Sequence, residues 1–450
     1  MNKTNHAAKN PAPGTPDDAT DSAETNGAET NGAETGGAET GGGAGTRGRL
    51  YVDNAASQAL RSEAQEAMQR AAGLLNPAGQ YKTGRDARRS LEDAREQIAE
   101  LLGADAAEVI FTGSGTEADN IAIQGLAFGS KAHRGAHVIA SSDIEHPAVV
   151  ESVDWLTAGP LDLGFERAVL PVDAAGRIRA EDWIAGLENG AGADSVQGSP
   201  GAADGASDLA LLTCMWANNE TGAIQPVETL ASFARDNGVP FHTDAVQAVG
   251  HIPVDFHALG ATTLAASAHK FGGPKNTGLL LARRDADILS PVRGGGQERK
   301  LRSGTVNVQG AVGCAAALAS SIKELEQATA RMRVARERLR AAAQRIDGVR
   351  IWTPEVGALP GHLHMSFPGA EGDSLIMLLD AAGVDASTGS ACSAGVNRAS
   401  HVLTAMGVPV DVARGALRLT LGADITDDQV EYLAGILPRV VEQARAAGMA

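Results

Sequence analysis

A lone lysine sits where carbonyl chemistry could be done. Residues Ala265-Ala-Ser-Ala-His-Lys-Phe-Gly-Gly-Pro274 begin in a short apolar run and end in Gly272, Gly273 and Pro274. That pattern is a strand end running into a loop that can continue as neither strand nor helix. A lysine held there is partly desolvated, and desolvation disfavours the ammonium form. The neutral amine is a nucleophile for carbonyls, including Schiff-base formation. An ordinary solvated lysine in a Gly-Pro turn would have the same local sequence, so the rest of the chain has to decide.

Other chemistry-bearing residues fall at similar points. Val109-Ile-Phe-Thr112 is a short apolar strand that runs into Gly113-Ser-Gly-Thr-Glu-Ala-Asp-Asn120, with helical character from Ile121. A strand, a small-residue turn and a helix N-terminus make an anion site, because backbone N–H groups and the helix dipole point at one spot. Thr116 adds a hydroxyl. The strand His137–Ser141 ends just before His146, which could equally be a plain loop histidine. Leu209–Trp216 is apolar throughout, as in a strand buried on both faces, and Asn219 lies just beyond it. Phe241–Asp244 ends in Asp244, with Gln247 three residues on. In parallel α/β sheets ligands bind at the carboxyl ends of the strands. Thr116, His146, Asn219, Asp244 and Lys270 all fall at such ends.

The C-terminal third carries a second set. Gly294-Gly-Gly-Gln-Glu-Arg-Lys-Leu-Arg-Ser-Gly-Thr305 is a glycine-rich basic loop, and an Ala-rich helix is expected from Gly310 to about Ile346. His362 and His364 share one face of a strand; two histidines suggest a metal or simple structural roles, and no third ligand is close in sequence. Cys392 lies among small residues, a context that suits an accessible thiol, whereas Cys314 on the long helix reads as packing. Arg418 stands among apolar neighbours, and a buried arginine needs an anion such as a substrate carboxylate.

The whole chain bounds these readings. Its 450 residues, 43% of them hydrophobic, are enough for two domains. A net charge of -17 disfavours direct nucleic-acid binding or an anionic membrane partner. No apolar run approaches the ~18 residues of a membrane span, and Met1-Asn-Lys-Thr-Asn-His6 has no signal-peptide core. Three scattered cysteines fit neither a disulfide framework nor a zinc pattern and suit a reducing cytoplasm. Residues 1–48 contain the repeats Ala-Glu-Thr-Asn-Gly and Ala-Glu-Thr-Gly-Gly and are expected to be a disordered tail. Residues 188–208 are expected to form a surface loop. Strands alternating with helices predict a parallel α/β sheet, followed by a smaller α/β unit.

Taken in order, Phe111-Thr-Gly-Ser-Gly-Thr-Glu-Ala-Asp-Asn120, Glu145-His146, Asn218-Asn-Glu220, His242-Thr-Asp-Ala-Val-Gln247, Ser267-Ala-His-Lys270, Arg302-Ser-Gly-Thr305, Gly389-Ser-Ala-Cys392 and Leu417-Arg418 closely resemble the cysteine desulfurases. The resemblance runs over residues 49–440 and is to the long-loop branch, which serves iron–sulfur-cluster assembly and tRNA thiolation. It implies the aspartate-aminotransferase-like, class V fold of pyridoxal 5′-phosphate enzymes: a large, mostly parallel domain over 65–325, and a small domain from 49–64 and 326–450.

The resemblance also implies roles. Lys270 forms the Schiff base with the cofactor, Asp244 pairs with its ring nitrogen, and His146 stacks on the ring and moves protons. Asn219 and Gln247 bond the region of the phenolic oxygen. Gly115, Thr116, Ser267 and His269 hold the phosphate, joined by Thr305 from the second subunit of a homodimer. Arg418 takes the carboxylate of L-cysteine. Cys392 receives the sulfur as a persulfide, for transfer to an iron–sulfur scaffold or a tRNA-thiolation enzyme. The sequence departs from the family pattern at Ser57, Gln58, Gly79, Gln80, Tyr81, His362 and Arg398-Ala-Ser400, positions that border the substrate site. Selenocysteine or cysteine sulfinate as substrate, or a catalytically weak sulfur-relay homologue, are the alternatives. A nicotinamide-binding fold lacks its glycine fingerprint here.

Overall fold

The computed structural model describes residues 48–188, 205–389 and 399–448. Cys392 and most of the expected 188–208 loop lie outside them, as does the N-terminal tail up to Arg47.

Among the described residues, twelve strands form three sheets. They are β1 (Leu50–Tyr51), β2 (Val109–Thr112), β3 (Val138–Ser142), β4 (Glu166–Leu170), β5 (Leu209–Thr213), β6 (Phe241–Asp244), β7 (Thr263–Ser267), β8 (Gly278–Ala282), β9 (Arg350–Ile351), β10 (His362–Ser366), β11 (Val384–Asp385) and β12 (Ala416–Thr420). The central sheet has the order β2-β8-β7-β6-β5-β3-β4. Only β8 runs against its neighbours, β2 and β7; the other pairings are parallel.

The central strands are buried throughout because both faces of the sheet are covered. Alternate residues point to opposite faces. Val109, Phe111, Val138, Ala140, Leu279 and Leu281 enter one apolar cluster. Their neighbours Ile110 and Leu280 enter a second, and Ile139 joins Ile123, Leu126, Val149 and Val153 in a third.

A second core lies against the antiparallel sheet β12-β10-β9. Leu363, Met365, Leu417 and Leu419 face that core. One helix, Val308–Ala343, serves both cores: Ala311, Cys314 and Leu318 pack under the central sheet, and Met332, Ala335 and Leu339 pack in the second core. At 36 residues it is about 54 Å long. The two-stranded sheet pairs β1 with β11 in parallel, Leu50 opposite Val384. No described helix is long and apolar enough to cross a membrane.

Candidate active site

The β7 strand delivers Lys270. After Ser267 the chain makes one 3₁₀ turn, Ala268–Lys270, and the Ala268 carbonyl accepts from Phe271 N (3.1 Å) and Gly273 N (2.8 Å). Gly272 has φ +84, where a side chain would be strained and would also meet Arg61. Lys270 Nζ donates to the carbonyls of Ala55 (2.6 Å) and Ala56 (3.0 Å). Burial pushes its ammonium down to about 8, the Arg418 charge adds to that, and Asp244 and Asp53 oppose it.

The Asp244 carboxylate at the end of β6 is buried and accepts from Val246 N at 2.9 Å. Burial raises its pKa; His146, the Val246 N–H and Lys270 pull it back. Two more buried carboxylates lie within electrostatic reach. Burial raises Asp119 well above its ordinary value, and Asp244 and Glu145 add to the effect. Burial lifts Glu145 to about 7, against hydrogen bonds from Ser142 Oγ and Met215 N. Asp119 also meets His242 Nε2 (3.2 Å), whose other ring nitrogen meets Thr263 Oγ1 (2.9 Å). Three buried acids within electrostatic reach of one another favour a cation beside them.

His146 caps the helix Pro147–Thr157: its Nδ1 accepts from Ala148 N at 3.1 Å. That bond leaves the proton of the neutral ring on Nε2. Burial lowers its pKa, Asp244 opposes, and Lys270 and His401 push it further down.

The turn after β2 is shorter than the sequence suggested. The helix starts at Gly115, and its cap, Ser114 Oγ, accepts from Glu117 N at 3.1 Å. Gly115 must lack a side chain, since a Cβ there would lie 2.8 Å from Val246 Cγ2 and 3.3 Å from Ser267 Cβ. The helix N-terminus is thereby pressed against the end of β7. Thr116 is exposed on its first turn. His269 Nδ1 meets Ser57 Oγ at 3.2 Å, and burial followed by Lys270 pushes its imidazole down to about 4. Thr305 lies exposed on a separate loop, tied to this helix through Arg302 Nε and Glu117 Oε1 (2.9 Å).

Arg418 does have its anion, but a protein one. Its Nη2 donates to Asp53 Oδ1 at 2.7 Å, and its Nη1 to the carbonyls of Asn219 (2.9 Å) and Gly389 (3.4 Å). Arg418 Nε and Asn219 Oδ1 are buried with no partner among the described residues. Gln247 Nε2 donates to the same Ala55 carbonyl as Lys270, at 3.0 Å. The segment Asp53–Gln58 therefore runs through the site, and of its residues only Ser57 and Gln58 stood out in the sequence. Its part is played largely by backbone carbonyls, which leave no side-chain signature. Two of the departures from the family pattern fall on it: Ser57 touches His269, and Gln58 Nε2 meets His251 Nε2 at 3.0 Å.

Among the described cysteines neither is a nucleophile. Cys214 and Cys314 are fully buried, and burial drives Cys214 far up and Cys314 to about 12. His362 and His364 belong to no cluster of three potential metal ligands among the described residues.

Comparison with known proteins adds the family. The model of the class V aminotransferases matches residues 50–196 and 204–433. The chain belongs to the class V aminotransferase family. Within it, the chain is 42% identical over 406 residues to an IscS-like cysteine desulfurase of Mycobacterium tuberculosis, a match covering 89% of this chain and 98% of that protein. A cysteine desulfurase IscS of Dictyoglomus turgidum is 39% identical over 399 residues, 88% of this chain and 95% of its own length. A solved NifS-like protein superimposes with a TM-score of 0.76 at 32% identity, over 88% of this chain and 100% of that one. The large, mostly parallel sheet is thus the class V fold.

Proposed function

We propose that the protein is a pyridoxal-phosphate-dependent cysteine desulfurase. The observation that carries this reading is the convergence of Lys270, Asp244, His146 and Arg418: each perturbs the titration of at least one of the others. The residues fit the cofactor. The helix N-terminus at Gly115, packed close against Ser267 at the end of β7, suits a phosphate. The buried acids around Asp244 suit a cationic ring nitrogen, and the unpartnered Asn219 Oδ1 is a free polar atom beside Arg418. When bound, pyridoxal phosphate supplies an aldehyde for imine chemistry and an electron sink.

The chain's own residues do the rest. Lys270 offers an amine that is partly neutral near pH 8. Asp244 holds a negative charge in a low-dielectric position. His146 carries its transferable proton on Nε2. Arg418, partly neutralised by Asp53, takes the carboxylate of L-cysteine. Cys392 thiolate attacks the substrate sulfur; an S–S bond replaces the C–S bond, and the carbon side takes up a proton to leave as alanine. Gln247 and His269 complete the cofactor's surroundings, with Thr116, and Thr305 reaches the phosphate across a homodimer. The acceptor of the persulfide sulfur is an iron–sulfur scaffold or a tRNA-thiolation enzyme, in the cytoplasm.

The test is direct. Full-length protein loaded with pyridoxal phosphate and given L-cysteine and a thiol reductant should release alanine and sulfide in equal amounts. Borohydride should fix the cofactor to Lys270, and Lys270→Ala should lose both activity and yellow colour. Absence of alanine from the loaded wild-type protein would overturn the reading.

A further inference from the structure

The β10–β12 pair has one apolar face and one polar face, and the polar face is as buried as the other. Directly opposed residues of an antiparallel pair share a face. His364 stands opposite Arg418, and His362 opposite Thr420. Leu363, Met365, Leu417 and Leu419, on the other side, fill the second core. The polar face is closed over by Asn219, whose carbonyl Arg418 holds, and by Gly222, whose missing side chain makes room for His362.

Buried polar atoms are nearly always paired in native proteins. Here five are not: Arg418 Nε, Asn219 Oδ1, His362 Nε2 and both ring nitrogens of His364. They are five of the eleven such atoms among the described residues, gathered on one face. A fully buried imidazole with no partner for either nitrogen among the described residues can meet a ligand's polar atoms. Burial and the Arg418 charge keep His364 neutral, pushing it down to about 3. The Thr388 backbone is near enough to oppose this weakly, yet it makes no hydrogen bond of ordinary geometry with either nitrogen. A neutral imidazole carries one N–H donor and one acceptor.

We propose that His364 is a further substrate-binding residue, donating a ring N–H to the same amino-acid carboxylate that Arg418 takes. The proposal rests on the assignment of that carboxylate to Arg418. Asp53 already occupies Nη2 of Arg418, and the Asn219 and Gly389 carbonyls occupy Nη1. A second donor beside the guanidinium makes up for what those partners withdraw. His364 is the better placed of the two histidines: it lies directly across from Arg418, and its Nε2 is 3.3 Å from the position a Gly389 Cβ would take. Gly389 has φ +93 and so is held to glycine on both counts.

The test uses the full-length, cofactor-loaded protein and two variants, His364→Leu and His364→Asn. KM for L-cysteine and the inhibition constant of L-alanine, which has the carboxylate but no thiol, are measured for each. The leucine variant should raise both by roughly tenfold, more than it lowers kcat. The asparagine variant, which keeps an N–H donor, should recover most of the loss. Unchanged constants in the leucine variant would overturn the proposal. So would a rise for cysteine alone, which would make His364 a thiol contact, or equal losses of bound cofactor and melting temperature in both variants. Alanine binding, read from the cofactor's absorbance, does not need turnover. A wild-type protein that binds alanine but releases no sulfide therefore refutes the proposed function and not this contact.

Discussion

Lys270 should titrate well below an ordinary lysine in cofactor-free protein, pushed down from 10.5 to about 8. At pH 7 that raises the neutral fraction about 300-fold, from about one molecule in three thousand to about one in ten. Burial is the main cause and Arg418 the second, with Asp244 and Asp53 opposing. The sign of each variant follows. Arg418→Leu removes a cation and frees the Asp53 carboxylate, so the Lys270 pKa should rise. Asp244→Asn removes an anion, so it should fall further. Competitive acylation of amines from pH 6 to 11, with the Lys270 peptide followed by mass spectrometry, reads the midpoint directly. A wild-type midpoint above 10, or a downward shift in Arg418→Leu, would refute the reasoning. The same shift makes stability depend on pH. Between pH 8 and 10.5 the folded chain binds fewer protons at this site than the unfolded chain, so stability rises with pH through that window. The penalty present in full below pH 8 is at most about 3 kcal/mol, and smaller because the amine is only half-buried.

Gly115→Ala places a methyl group 2.8 Å from Val246 Cγ2, an overpacking expected to cost about 1 to 3 kcal/mol and to weaken pyridoxal phosphate binding; urea unfolding and a fluorescence titration measure the two, and a more stable variant would show that helix propensity outweighs the contact. Glu298 receives a bidentate pair from Arg95, at 2.7 and 2.8 Å, and a bond from Phe111 N at 2.8 Å, all of them buried. Glu298→Ala leaves the buried Arg95 with only Glu92 and the Val109 carbonyl and should cost up to about 3 to 5 kcal/mol, read as a lower urea midpoint with an unchanged slope. Cys392→Ala should keep the absorbance of the bound cofactor and release no sulfide; normal turnover in that variant would exclude the persulfide step.

How much of this was legible in the sequence differs by element. The strands Val109–Thr112 and Phe241–Asp244 have the bounds read from the chain, the first because a strand buried on both faces is a short apolar run with sharp ends. The helix expected near Ile121 begins at Gly115. Glycine and polar residues sit inside its first turns, where tertiary packing overrides propensity. Gly115 is helical because only a residue without Cβ fits between Val246 and Ser267. The strand-end residues of the site were legible because their side chains are unusual for their surroundings. Asp53, Ala55 and Ala56 were not. Two of them act through carbonyls, and the third meets Arg418 across a separation of 365 residues that no local pattern records.

That separation has a consequence for how the protein is made. The strip from Leu50 to Gln58 pairs with Val384 and Asp385, bridges Thr420 and carries the acceptors for Lys270 and Gln247. Of its partners, Val384, Asp385 and Thr420 leave the ribosome about 20 to 70 s after it does at ordinary rates of synthesis. A nascent chain can lay down the central sheet before the strip is held in place. The reactive amine acquires its final surroundings only once Thr420 has been made, so products truncated before it should be unable to trap the vitamin or to consume the amino acid.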